Sequence, residues 1–190
     1  MKRNLESLSS YSNLLRFLFL ISILSLIGCA IGVGPSVNTT IGTNFQNVRI
    51  MDEPVAVVPA QPSQAGNFFA DLISGELLGA GFRIIERVHL EAMLREHQLT
   101  LTGLLEKQDY LQLGKMTNVR RMVIVSALFT PKMGNVSNAN TKLVDLNTGE
   151  VLMSTVYDNP FADTPGTIKY QNKEKSAKVI VNSIREKIGK

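Results

Sequence analysis

The chain has 190 residues, 44% of them hydrophobic and 19% charged, with a formal net charge of +4. Its single cysteine rules out an intramolecular disulfide and any cysteine-based metal site. Few aromatic residues and no binding motif argue against a nucleic-acid partner.

Lys2, Arg3 and Arg16 form a basic leader, and Phe17 to Ile27 an apolar core broken only by Ser22 and Ser25. This is the layout of a secretory signal. The alternative is a membrane span, which needs roughly 20 apolar residues, more than the run supplies. The core ends in Leu26-Ile27-Gly28-Cys29, which resembles a lipoprotein signal peptidase site. Residues 1–28 are therefore expected to be a lipoprotein signal peptide, with Cys29 as the lipidated N-terminus of the mature protein. Several acyl chains anchor stably where one alone is reversible. Ala30, in place of an aspartate, favours the outer over the inner membrane.

Residues 29–52 are rich in Gly, Ser, Thr and Asn and are expected to be a flexible tether. Such a tether would span about 25–30 Å. A single domain is expected over 53–190. Pro54 to Pro59 reads as a short buried strand between prolines. A helix is expected from Asn67 to Leu78, with Phe69, Leu72, Ile73 and Leu77 on one face and Gly81 as a left-handed cap. Phe82 to Arg87 reads as a strand, with Val88 as its last candidate, and His89 to Leu99 as a helix buried through Leu90, Met93 and Leu94. Gly103 breaks that helix, and a short third helix is expected over Gln108 to Met116. Met122 to Phe129 is the most apolar strand and is expected to be central.

Pro131 to Asn140 reads as a polar loop. Thr141 to Leu146 and Glu150 to Tyr157 read as a hairpin turning at Asn147-Thr148-Gly149, where Gly149 supplies a positive φ. Asp158 to Thr167 is a second loop. The last element is an amphipathic helix with Ala177, Ile180, Val181, Ile184 and Ile188 on one face. The order β-α-β-α-α-β-β-β-α implies an α/β fold, a single mixed sheet with helices packed on it.

Catalysis needs a convergent nucleophile, base and orienting group, and the sequence offers none. His89 and His97 are eight apart on one expected helix, too far to share a metal. Asp145 and Glu150 flank a turn and read as turn formers. Glu86 and Arg87, at a strand-to-helix junction, read as an ion pair or helix-start contact ahead of a binding role. The chain is read as a non-enzyme with no cofactor and no metal. Charge is uneven. Cys29 to Ile168 holds ten basic and thirteen acidic residues, whereas Lys169 to Lys190 holds seven and two. Lys173, Lys175, Lys178 and Arg185 form a candidate interaction surface, for anionic headgroups, a cell-wall polymer or a protein; a solvated helix face is the plainer reading.

Glu86-Arg87 is followed by Leu90, Leu94, Glu96, Gln98, Leu99 and Gly103. With Leu113-Gly114-Lys115, Val123-Ile124-Val125 and the block Val144 to Leu152, this resembles the CsgG-like family, whose namesake is the curli secretion channel. The sequence departs from the family pattern where His97 separates Glu96 from Gln98 and where Ser126 stands in place of glycine. The resemblance covers Val55 to Tyr157. It implies a periplasmic α/β domain on an outer-membrane lipid anchor. Channel members insert long hairpins into the membrane, and a membrane strand needs roughly 9–11 alternating residues. Pro131 to Asn140 and Asp158 to Thr167 are too short, so a pore is not expected. Relatives without hairpins act by binding partners. The sequence is thus read as a lipid-anchored, non-enzymatic binding or assembly module. The alternative is an oligomeric accessory subunit of a curli-type secretion assembly. The expected partners are a membrane, a periplasmic or outer-membrane protein, and a second copy of the chain.

Overall fold

The computed structural model describes residues 34–47, 50–96, 114–115, 119–167 and 169–189. Cys29, His97, Gly103 and most of the expected third helix lie outside these residues; of that helix, Gly114 and Lys115 are helical.

Six strands form one mixed sheet. In chain order they are β1 (Ser36–Ile41), β2 (Pro54–Pro59), β3 (Arg83–Ile85), β4 (Arg121–Phe129), β5 (Val136–Asp145) and β6 (Glu150–Asp158). Their order across the sheet is β1-β6-β5-β4-β2-β3. β2 pairs in parallel with both β3 and β4, and the β1, β6, β5, β4 half is antiparallel. Parallel pairing needs crossovers, and α1 (Gln64–Gly79) connects β2 to β3. α2 (Arg87–Glu96) follows β3, and α3 (Lys173–Ile188) closes the chain. The fold is a single mixed sheet carrying three described helices, the α/β architecture read from the sequence.

The sheet is buried on two faces by different amounts. One face packs Val55, Val57, Val123, Val125, Ala139, Leu143 and Tyr157 under α1 (Phe69, Ile73, Leu77) and α3 (Ala177, Ile180, Val181, Ile184). The other carries a smaller cluster of Ala56, Val58, Met122, Ile124, Val144 and Leu146 with Leu90 of α2. Both faces of β2 and the first half of β4 are covered, which explains their continuous apolar runs.

Four expectations need correction. The tether does not extend to Asp52. From Ser36 the chain is β1, an edge strand, followed by 3-10 turns at Thr43–Asn47 and Ile50–Asp52. The residues that read as linker are β-branched, and Thr39 is buried, its hydroxyl within hydrogen-bond distance of Thr155 (2.9 Å) and Ser183 (2.7 Å). Most of the expected loop Pro131–Asn140 is strand as well. β5 begins at Val136, and its polar residues Asn138 and Asn140 lie opposite Leu128 and Ser126, on the face away from α1 and α3. α1 begins at Gln64, three residues early, because Ser63 caps it by accepting the Gly66 N–H at 3.0 Å. A side chain at Gly66 would meet the Gln61 carbonyl at 2.9 Å, so the first turn closes only around glycine. β3 is cut to three residues because the Glu86 carbonyl already accepts from His89 and Leu90 and starts α2.

Other expectations hold. β2 has the predicted limits. Gly149 takes φ 67° in the β5–β6 turn and donates its N–H to the Asp145 carbonyl at 2.8 Å. Asn172, which the sequence reading did not single out, caps α3 by accepting the Lys175 N–H.

Candidate interaction surfaces

The four basic residues singled out in the last helix do not share one face. Lys173 stands at i, i+4, i+7 and i+11 with Ala177, Ile180 and Ile184, which is the buried stripe. Its ammonium lies 5.3 Å over the Phe68 ring of α1, a cation–π contact that fastens the start of one helix to the other. Lys175, Lys178 and Arg185 are exposed and lie on the outer face, so the surface reduces to three cations. Beside it, Glu76, Tyr170, Asn172, Glu174, Lys175 and Lys178 line an open groove of about 320 Å³. Two carboxylates and two ammonium groups line it, so the groove has no single sign of charge.

Arg87 does not pair with Glu86. It reaches back to Asp71 of α1 at 3.2 Å and along its own helix to Glu91 at 3.0 Å. The hydrogen bond to the Asp71 carboxylate raises the Arg87 pKa above its ordinary value, against the opposing effect of burial. Glu86 is largely exposed, with His89 Nδ1 at 4.0 Å. The pair flagged in the sequence is a helix-to-helix strut built by one of its members.

A second charged site escaped the sequence reading. Glu53, just before β2, meets Arg120 at 3.0 Å and Arg121 at 2.9 Å. Arg121 has only 7% of its side chain exposed. The parallel register Val55–Arg121 brings the starts of β2 and β4 together and so brings the carboxylate to both arginines. The signal was available as an acid before one apolar run and an Arg-Arg before another, but only the pairing of the runs joins them.

The remaining buried polar groups are structural. The Tyr157 hydroxyl donates to Gln171 Oε1 at 2.9 Å and lies 2.8 Å from Ser176 Oγ. Burial pushes its pKa above the usual tyrosine value. The Thr141 hydroxyl, also buried, finds no hydrogen-bond partner among the described residues. It borders a small void lined by Leu77, Phe82, Val123, Leu143, Met153 and Ile184. Among the described residues no group of three or more His, Cys, Asp or Glu side chains could hold a metal. No described helix is long and apolar enough to cross a membrane.

At one end of the sheet several exposed groups gather. β4 ends and β5 begins around the turn 130–135, where Met133 is 47% exposed. Phe68, 46% exposed, follows β2 at the same end, its neighbour Phe69 packed edge-on against Phe129 with ring centres 6.1 Å apart. Lys132 is exposed at the tip of the turn, and Lys169 lies 5.3 Å over the Phe161 ring. β1 also starts at this end, with Ser36 opposite Asp158.

Residues 37–128 match the family model described as "Curli production assembly/transport component CsgG". The match runs from β1 to the end of β4. It starts earlier than the resemblance read from the sequence and stops before the hairpin block Val144 to Leu152. No curated protein matches. Among solved structures, the dodecamer of a leucine-to-methionine variant of PelC from Paraburkholderia phytofirmans is 13% identical, covering 80% of this chain and 96% of that one, with a TM-score of 0.46. The LpoB C-terminal domain from Salmonella enterica is 14% identical over 56% of this chain and 82% of that one, with a TM-score of 0.44. Lipoprotein GNA1162 from Neisseria meningitidis is 14% identical over 72% and 96%, with a TM-score of 0.45. From β1 to the end of β4, the chain resembles the CsgG-like family.

Proposed function

We propose that this chain is a lipid-anchored protein of the bacterial envelope that acts without catalysis, as a binding and assembly module facing the periplasm. The observation that carries this reading is the match of residues 37–128 to a family described as an assembly and transport component. The signal-like leader and the Gly28-Cys29 step support an anchor at Cys29, on the outer membrane given Ala30. Lys175, Lys178 and Arg185 offer a cationic helix face to an acidic partner.

A second reading, an oligomeric accessory subunit of a secretion assembly, is favoured by one feature. β1 is an edge strand without a charged residue, and edges are ordinarily blunted by charge or proline. Crosslinking in cells, with Cys29→Ala as control, separates the two. A single foreign partner lost in the control supports the docking module. Ladders of the chain itself support the oligomer. Capture that is equal with and without Cys29 removes the anchor from the mechanism.

A further inference from the structure

Only a short length of chain lies between Cys29 and the first described strand. With β1 starting at Ser36, six residues and so seven Cα-to-Cα steps separate it from Cys29. Whatever their conformation, they reach no further than about 25 Å. Ser36 lies opposite Asp158, Asp158 opposite Asn138, and Asn138 opposite Leu128. The chain therefore enters the domain at the end that holds the 130–135 turn, the start of α1 and the start of α3.

We infer that this end, with Phe68, Lys132, Met133 and Lys173 at its surface, docks on the lipid headgroups of the leaflet that holds the Cys29 acyl chains. The inference rests on the anchor proposed above. The groups exposed there suit a membrane interface. Phe68 and Met133 project about half exposed, and Lys132 stands beside Met133 at the tip of the turn. Lys173 covers one face of the Phe68 ring and lies near Gly134, so it joins the two projections. Apolar side chains entering the headgroup zone beside lysines is the pattern of interfacial binding. Asp158 is exposed at the same end and opposes anionic lipid; Asp163 accepts the Met133 N–H at 3.3 Å. Weak contacts suffice, because a short arm keeps the surface at high effective concentration over the bilayer. The arm also separates this occupant from a protein partner, which would have to enter a gap no wider than the arm allows.

The mature chain, purified with its acyl groups and inserted in vesicles of phosphatidylethanolamine and phosphatidylglycerol, provides the test. Acylated Cys29 has no free thiol, so Met133→Cys and Lys132→Cys each accept one environment-sensitive fluorophore, and Thr148→Cys does so at the opposite end. Docking gives a blue shift and a several-fold loss of aqueous iodide quenching at 132 and 133, with neither at 148. Equal quenching at both ends of vesicle-bound protein overturns the docking and leaves the anchor standing. Labelling of the unsubstituted protein, or failure of it to float with vesicles, shows that Cys29 is not acylated and removes both.

Discussion

Glu53 holds two arginines in different surroundings, and the difference decides what each contributes. Arg120 is 62% exposed and Arg121 only 7%. An exposed pair is worth at most about 1 kcal/mol. A buried charge that loses its partner costs roughly 3–5 kcal/mol, less here because Glu53 is a quarter exposed. Arg120→Ala should thus be nearly silent in urea denaturation, and Glu53→Ala should cost about 2 kcal/mol. Equal effects would show that Arg121 does not depend on Glu53. Thr141 is the opposite case, a buried hydroxyl without a partner among the described residues. Thr141→Val keeps the shape and removes the desolvated group, so it should stabilise by about 1 kcal/mol. Tyr157 ties stability to pH. Its pKa is raised in the folded state by burial, so its contribution is complete below pH 10, where the unfolded tyrosine is still neutral. The contribution falls as pH climbs from there toward the folded value. Tyr157→Phe should lose about 1 kcal/mol at neutral pH and should flatten the alkaline loss seen in thermal melts.

Among elements, β1 is where sequence and structure part most clearly. Its composition, Ser-Val-Asn-Thr-Thr-Ile after Gly-Pro, reads as linker when polarity is counted. Alternation gives the other answer, since Val37, Thr39 and Ile41 pack inward while Asn38 and Thr40 are exposed. The threonine at the centre satisfies its hydroxyl inside the fold, and the residues that satisfy it are 116 and 144 positions away. No local reading could find them. Deleting 36–41 tests the point. A tether would leave the melting transition unchanged, whereas loss of a docked strand should cost about 3 kcal/mol or more, from Val37, Ile41 and the threonine bonds together. Elements whose evidence is local were legible, namely the apolar run of β2, the Gly149 turn and the periodic stripe of α3. That stripe also contained the error about Lys173, which follows the buried spacing although its charge placed it with the outer lysines. The strut from Arg87 to Asp71 was likewise invisible, because it joins two helices rather than neighbours in sequence.

For the molecule as a whole, one cysteine means that stability comes from the two clusters on either side of the sheet, with no covalent help. The larger of them joins α1 and α3 over β4, β5 and β6, so the C-terminal helix completes the fold. Substituting Ile180 by Ala in the middle of α3 should cost about 2–5 kcal/mol and unfold the sheet cooperatively. Reversing Lys175, Lys178 and Arg185 together, on the opposite side of the same helix, should leave the melting temperature within a few degrees and act only on partner capture.

The position of β1 beside β6 sets an order of events during synthesis. β1 leaves the ribosome before any other described strand, and its partner Thr155 follows Thr39 by 116 residues. At about 5–20 residues per second, the strand waits roughly 6–23 s for its partner. The hairpin of β5 and β6 can form as soon as both emerge, because its closing loop is short. Throughout that interval β1 is an extended, uncharged segment with a free edge, the kind of surface that chaperones hold and that misassembles with a neighbouring chain. The first strand made is thus the last secured, and a chain truncated before Glu150 should leave β1 unpaired however complete its parallel half.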